Sequence, residues 1–326
     1  MKVRVAVLGA GFMGRIHAAA YGKGGLDAEV LYVVDSDPKR AERLASSLSP
    51  MAKGLSDVGP ALKDPSVDAV DVCLPTDFHR ELCERSFAAG KNVLCEKPMT
   101  HSLADADRMI ASARASGKVF MIAHVIRFWP EYVAAVKILQ EGHIGALKRV
   151  SCSRLTTSPS WSAGNWMLDA RRSGGAVRDL AIHDFDFINQ LAGMPTAVRA
   201  FGSLMDFTAA FRFPGGAIGS VEASYIMPQG FPFRMSFLMV GENGSVEFDG
   251  TGGSINVVTG GKLERVPVTG TRAFKQNEGS DELDGYYREI AHFVDCVQRG
   301  RQPEQGKPAD ARDALEIALK VEAALR

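Results

Sequence analysis

The stretch Val3-Arg4-Val5-Ala6-Val7-Leu8-Gly9-Ala10-Gly11-Phe12-Met13-Gly14 decides how this chain is read. Its first six residues are mostly apolar and β-branched, the composition of a buried strand. Glycines follow at once, and Met13 to Tyr21 can begin a helix. The spacing alone is weak, since 33 of 326 residues are glycine, but strand, glycine turn and helix in direct succession are what dinucleotide binding requires. Each glycine then has its own task. Gly9 permits the tight turn, Gly11 clears the approach of a pyrophosphate to the backbone, and Gly14 lets helix and strand pack closely. Phe12 and Met13 share that loop, whose helix N-terminus presents free N–H groups to phosphate.

The next strand ends at Asp35, 21 residues beyond Gly14. A carboxylate there accepts hydrogen bonds from the ribose hydroxyls and repels a 2′-phosphate, so NAD is expected over NADP. Ser36 and Arg40 adjoin it. Lys39 and Arg40 have two readings, a phosphate contact or a solvated helix face after Pro38.

Outward from this turn, short β-branched runs alternate with amphipathic segments up to about residue 123, the pattern of a parallel sheet covered by helices. The expected strands are Val3 to Leu8, Ala28 to Val34, Ala69 to Leu74, Asn92 to Cys95 and Val119 to Ile122. Thr76 is positioned to cap a helix ending near Gly90, and Ser102 with Asp105 one ending near Gly117. Beyond residue 124 a helix precedes several strand-like runs separated by Pro214-Gly215-Gly216, Gly241-Glu242-Asn243-Gly244 and Gly260-Gly261, which suit hairpins, and two helices close the chain. The expectation is therefore an α/β chain: a doubly wound Rossmann domain over 1–123, then an α+β domain over 124–326 with a mostly antiparallel open sheet. Val268 to Gly285, glycine-rich and polar, reads as a mobile loop.

Composition narrows the partners. Thirty-eight basic residues balance thirty-eight acidic ones, so no net field favours nucleic acid or an anionic membrane. No apolar run approaches a membrane span and none resembles a secretion signal, which points to a cytoplasmic protein. Five cysteines, none spaced as CxxC, read as reduced and mostly buried thiols. The histidines lack metal-site spacing, and a metal-independent reaction is expected.

The residues able to do chemistry lie elsewhere. Lys97, between Glu96 and Pro98 just after a strand, is a candidate base, because a lysine held partly out of water releases its proton more readily. Pro98 admits a cis peptide that turns it inward. The run Val177 to Ile188 reads as a helix after Gly174-Gly175, with Asp179 and His183 four apart on one face. That pair either reaches a common substrate or, with Asp186 and Gln190, forms the wet side of an amphipathic helix packed through Ala181, Phe185, Ile188 and Ala192. Arg127 and Trp166 are candidate pocket residues, Trp161 and Trp166 being equally explained as core or loop anchors. Arg154, Arg171, Arg172 and Arg178 have two readings, recognition of a phosphate or carboxylate on the substrate and, the commoner fate of scattered arginines, a solvated surface.

The segment Cys95-Glu96-Lys97-Pro98 resembles the EKP signature of the Gfo/Idh/MocA oxidoreductases, the glucose–fructose oxidoreductase and inositol dehydrogenase family. Cys73-Leu74-Pro75-Thr76-Asp77-Phe78-His79 is similar to the family's segment beside the nicotinamide. Gly174-Gly175 with Asp179 and His183 is similar to its GG…D…H element, Arg127-Phe128 to its domain-joining segment, and Tyr286 to Gly300 to its first C-terminal helix. The resemblance implies a dehydrogenase acting on a secondary hydroxyl of a polyol, sugar or sugar derivative, with Leu74, Pro75, Thr76, His79, Glu96 and Lys97 at the cofactor. It implies Lys97 as proton shuttle and substrate anchor, assisted by His183 and Asp179, in a homodimer or homotetramer formed through the second domain's sheet. An NAD-using glycoside hydrolase working by transient oxidation and a non-catalytic sensor remain as alternatives.

Overall fold

A computed structural model describes residues 2–160, 163–268 and 284–325, with the side chains of 163 and 164 excepted. Trp161 and most of the expected loop from Val268 to Gly285 lie outside these residues. By contacts the chain forms two units: Met1–Val125 with Tyr286–Arg312, and Ile126–Gly285 with Asp313–Arg326.

In the first unit, β1 (Val3–Leu8), α1 (Phe12–Gly22), β2 (Ala28–Val34), α2 (Pro38–Leu48), β3 (Lys53–Leu55), α3 (Gly59–Lys63), β4 (Ala69–Val72), α4 (His79–Ala88), β5 (Asn92–Glu96), α5 (Leu103–Ser116) and β6 (Phe120–Ala123) succeed one another. The six strands are all parallel, in the order β3-β2-β1-β4-β5-β6. That order reverses between β1 and β4, which is where open α/β sheets bind ligands, beyond the carboxyl ends of their strands. Val5, Ala6 and Val7 are wholly buried, as strands covered on both faces demand. β3, only three residues long, has too short a pattern to be read from sequence.

The helix ends follow local chemistry. Asp37 caps α2 by accepting from the Lys39 and Arg40 N–H groups, with Pro38 in the first turn. Ser102 caps α5 by accepting from Asp105 N–H, and Gly117 ends it at φ +66°. Thr76 departs from expectation: it opens a 3₁₀ turn, Thr76–Phe78, and α4 begins at His79 without a side-chain cap.

The far edge of the sheet is covered from late in the chain. Ile122 N–H donates to Gly306 O (2.9 Å), Phe120 N–H to Gln302 Oε1 (3.4 Å), and Gln302 Nε2 to Lys118 O (2.9 Å). These satisfy backbone groups that an edge strand would otherwise expose.

The second unit begins with α6 (Pro130–Gln140), β7 (Leu147–Thr157), α7 (Ala170–Ser173) and α8 (Ile182–Ala192), followed by β8 (Ala197–Gly202), β9 (Asp206–Arg212) and β10 (Ile218–Met227). Then come β11 (Arg234–Gly241), β12 (Gly244–Phe248), β13 (Ser254–Thr259) and β14 (Lys262–Pro267). The sheet runs β14-β13-β12-β11-β7-β10-β9-β8, antiparallel except where β7 meets β10. All three glycine turns close hairpins, β9–β10, β11–β12 and β13–β14. One face buries Phe207, Phe211, Tyr225 and Phe237. The other is mixed, with Ser151, Ser153, Ser220 and Ser236 half-buried, Thr208, Glu222 and Glu247 exposed, and the large apolar side chains of Phe201, Ile218 and Leu263 also exposed. The terminal helices are α9 (Asp284–Arg299) and α10 (Pro308–Ala324).

Candidate active site

The glycine turn is built as its spacing demands. Gly9 sits at φ +105°, and a Cβ on it would lie 2.3 Å from Cys73 O. A Cβ on Gly14 would lie 1.8 Å from Gly9 O, so helix and turn touch backbone to backbone. Gly11 is the opposite case, because its Cβ would meet nothing within 4 Å. Space is kept there, bordered by the start of α1, which has no side-chain cap and no acidic residue in its first turn. Uncapped N–H groups and an unneutralised helix dipole suit a pyrophosphate. Phe12 is exposed and Met13 half-buried at that helix start.

Asp35 is buried and already well bonded. Its Oδ2 accepts from Ala10 N–H in the glycine turn (2.9 Å), while Oδ1 accepts from Asp37 N–H (2.9 Å) and Arg40 Nη2 (2.8 Å). A carboxylate offers about four acceptor positions, which leaves room for a ribose hydroxyl. Arg40 is thus an ion-pair partner of Asp35, a third use beside the two read from sequence; Ser36 is exposed.

Two strand ends supply the next group. After β4, Leu74 and Pro75 are half-buried and Thr76 is buried. His79 is buried between two carbonyls, Nδ1 3.0 Å from Pro98 O and Nε2 2.8 Å from Leu74 O. Burial lowers its pKa against the pull of those carbonyls, and a neutral ring donates to one of them. It ties together the segments that follow β4 and β5. Lys97 is half-buried at the end of β5; its N–H donates to Glu96 Oε2 (2.9 Å), and its bond to Pro98 is cis.

Sequence reasoning missed what stands behind Lys97. His17 on α1 is wholly buried, its Nδ1 2.9 Å from Asp71 Oδ2 on β4 and its Nε2 3.2 Å from Glu96 Oε1. Cys73 Sγ donates to Asp71 Oδ1 (3.3 Å). The ligand atoms of His17, Asp71 and Cys73 lie within 4.8 Å of one another, a spacing a cation could use, but hydrogen bonds already join them. Glu289 of α9 is also wholly buried, and neither carboxyl oxygen has a hydrogen-bond partner. Burial raises its pKa well above the carboxylate range, with Glu96 and Asp71 adding to the rise and His17 opposing it. One signal was present: Asp71 interrupts the apolar run Ala69-Val70-Asp71-Val72, and a charge inside a buried strand needs a partner.

In the second unit the expected single helix from Val177 to Ile188 is broken. Ala176–Leu180 forms a π turn, and α8 starts at Ile182. Asp179 and His183 therefore do not share a regular helical face. Asp179 is buried and accepts a short hydrogen bond from the Tyr225 hydroxyl; His183 is half-buried. The wet-side alternative fails for Asp186, which is wholly buried and held bidentately by Arg127 (2.6 and 2.7 Å). Ala181, Phe185 and Ile188 are buried as expected. Trp166 is half-buried in a 3₁₀ turn, Ala163–Leu168. Arg154, expected in solvent, is buried in a bidentate pair with Asp184 (2.8 and 2.9 Å), since a guanidinium facing a carboxylate can satisfy both charges out of water. Arg171 and Arg172 are exposed, and Arg178 pairs with Glu322.

Among the described residues, no helix is long and apolar enough to cross a membrane. All five cysteines are free and buried.

Comparison with known proteins accounts for this arrangement. Residues 3–124 match the model of the oxidoreductase family with an NAD-binding Rossmann fold, and residues 132–247 match the GFO/IDH/MocA C-terminal domain. Inositol 2-dehydrogenase of Streptomyces avermitilis is 30% identical over 305 residues, covering 91% of this chain and 84% of the relative. Inositol 2-dehydrogenase of Rhizobium meliloti is 28% identical over 322 residues, covering 93% and 91%. The fold is shared with a levoglucosan dehydrogenase solved with NADH and levoglucosan, at TM-score 0.86 and 22% identity, over 99% of this chain and 97% of that one. The parallel Rossmann sheet and the eight-stranded second sheet thus have one common explanation: the chain belongs to the Gfo/Idh/MocA family of NAD-binding oxidoreductases and is a dehydrogenase acting on CH–OH groups.

Proposed function

We propose that this dehydrogenase oxidises a secondary hydroxyl of a cyclic polyol, sugar or sugar derivative, with Lys97 as proton shuttle and His183 and Asp179 assisting. The observation that carries the reading is Lys97 itself, at the carboxyl end of β5 in a sheet whose reversal point holds the glycine cradle. The relatives' activities on inositol and the levoglucosan complex favour a ring-shaped polyhydroxyl substrate. NAD supplies the hydride acceptor when bound, and Asp35 favours it over NADP by refusing a second anion at the ribose. Lys97 Nζ takes the hydroxyl proton as the C–H bond breaks. His183 hydrogen-bonds the same hydroxyl, and Asp179, fixed by Tyr225, orients it. Arg127 and Trp166 contribute to substrate binding. Self-association through the open face of the second sheet, where Phe201, Ile218 and Leu263 are exposed, as a dimer or tetramer, completes the reading.

The experiment is to mix the purified protein with NAD or NADP and a panel of inositols, levoglucosan, aldoses, sugar acids and nucleotide sugars, and follow reduced nicotinamide. Steady NADH formation with one ring polyol supports the proposal. Glycoside cleavage without net NADH would replace it by the hydrolase, and binding without turnover by the sensor.

A further inference from the structure

The buried groups around His17 have no assigned role in the reaction outlined above, yet they meet at its base. Three elements converge on one imidazole: α1, which begins at the glycine cradle; β4, through Asp71 and the Cys73 that follows it; and the end of β5, through Glu96. α9 closes the group with Tyr286, whose ring centroid lies 6.1 Å from that of His17, and with Glu289; Tyr21 of α1 is also buried beside it. Burial by itself opposes a charge on His17, but Asp71 and Cys73 together outweigh it and raise the imidazole's pKa well above its ordinary value.

Glu96 is the link outward. One carboxylate oxygen faces His17 Nε2 at 3.2 Å, outside hydrogen-bond alignment, and the other accepts from the Lys97 N–H at 2.9 Å. We infer that His17 is a positioning residue, which holds Glu96 from behind so that Glu96 fixes the Lys97 backbone and the point from which its side chain reaches. The inference rests on Lys97 being the proton shuttle. A buried carboxylate with an imidazole packed against one oxygen and an N–H bonded to the other has one favoured orientation; without the imidazole it can turn about its side-chain bonds and carry Lys97 with it. Misplacing a reacting group by about 1 Å costs on the order of a hundredfold in rate.

The test uses His17→Asn, which keeps a donor toward Asp71 and removes the one facing Glu96, with His17→Gln as the variant that restores a donor at the longer reach. Hydrogen exchange resolved amide by amide in NMR spectra reads the Lys97 N–H without any substrate. It should quicken at least about tenfold in His17→Asn, less in His17→Gln, and not at all in Lys97→Met. With the substrate from the panel, His17→Asn should lower kcat at least about tenfold while NAD affinity changes less than about threefold. A double variant with Glu96→Gln should be no slower than the slower single variant, because both act through one link. Unchanged exchange at Lys97, additive losses in the double variant, or a kcat loss explained by lost NAD binding would overturn the inference. Full turnover in Lys97→Met would instead remove the proposed function, leaving the exchange result to report on the His17–Glu96–Lys97 link.

Discussion

The two units bury charge in opposite ways. Around α8, Arg127 meets Asp186 and Arg154 meets Asp184, each through two well-formed hydrogen bonds. Around His17 a single imidazole serves Asp71 and Glu96, the second contact is misaligned, and Glu289 stands by with no hydrogen-bond partner. A carboxylate bonded at both oxygens by one guanidinium is fixed in place and holds that guanidinium in turn. An under-satisfied cluster carries a cost in stability, and such costs gather where a site must hold a reactive group in place. The difference teaches that full burial of charge does not itself mark function, and it makes the incompletely paired cluster beside a strand end the one to test.

That contrast can be broken. Lys97→Met should lower turnover by at least about a hundredfold, the range of general acid–base catalysis, while the melting temperature and NAD affinity hold; kinetics beside a binding titration checks it. Asp184→Ala should do the reverse, destabilising by about 3–5 kcal/mol in chemical denaturation because Arg154 is left charged and buried. A comparable loss of stability in Lys97→Met would erase the distinction between the two regions.

Glu289→Gln sharpens it through pH. The folded-state pKa of Glu289 is raised, so the folded protein binds its proton more tightly than the unfolded chain. Stability therefore falls as pH climbs from the unfolded value near about 4.3 toward the folded one, and glutamine does not share that fall. The melting temperature of the variant should gain on the parent as pH rises above about 4.3. The smallest effect belongs to Ser102→Ala, which removes the α5 cap remote from either cluster and should cost about 1 kcal/mol with no change in kcat.

Legibility followed the range of the forces involved. β1 and β2 match their expected limits residue for residue, and all three glycine turns close hairpins, because strand patterning and turn chemistry are local. The strands at Ala69, Asn92 and Phe120 fall within two residues of their expected limits for the same reason, while three-residue β3 was not legible. Lys97 could be singled out by its place after a strand. His17, three residues past Gly14, could not, since its role depends on Asp71, Glu96 and Glu289 arriving from three other elements. The π turn at Ala176–Leu180 was hidden for the same reason: Val177 to Ile188 has ordinary helical periodicity, and only the surrounding packing shows where it breaks. The burial of Arg154 was not legible because its partner lies 30 residues away.

The cover on β6 has a consequence for how the chain is made. Gln302, which receives the Phe120 N–H, is 182 residues downstream, and Gly306 follows it. A growing chain emerging from the ribosome presents the whole cofactor-binding sheet long before these residues exist. Through nearly all of the second unit's synthesis, that nascent sheet carries one bare edge, the kind of surface on which strands of neighbouring chains add.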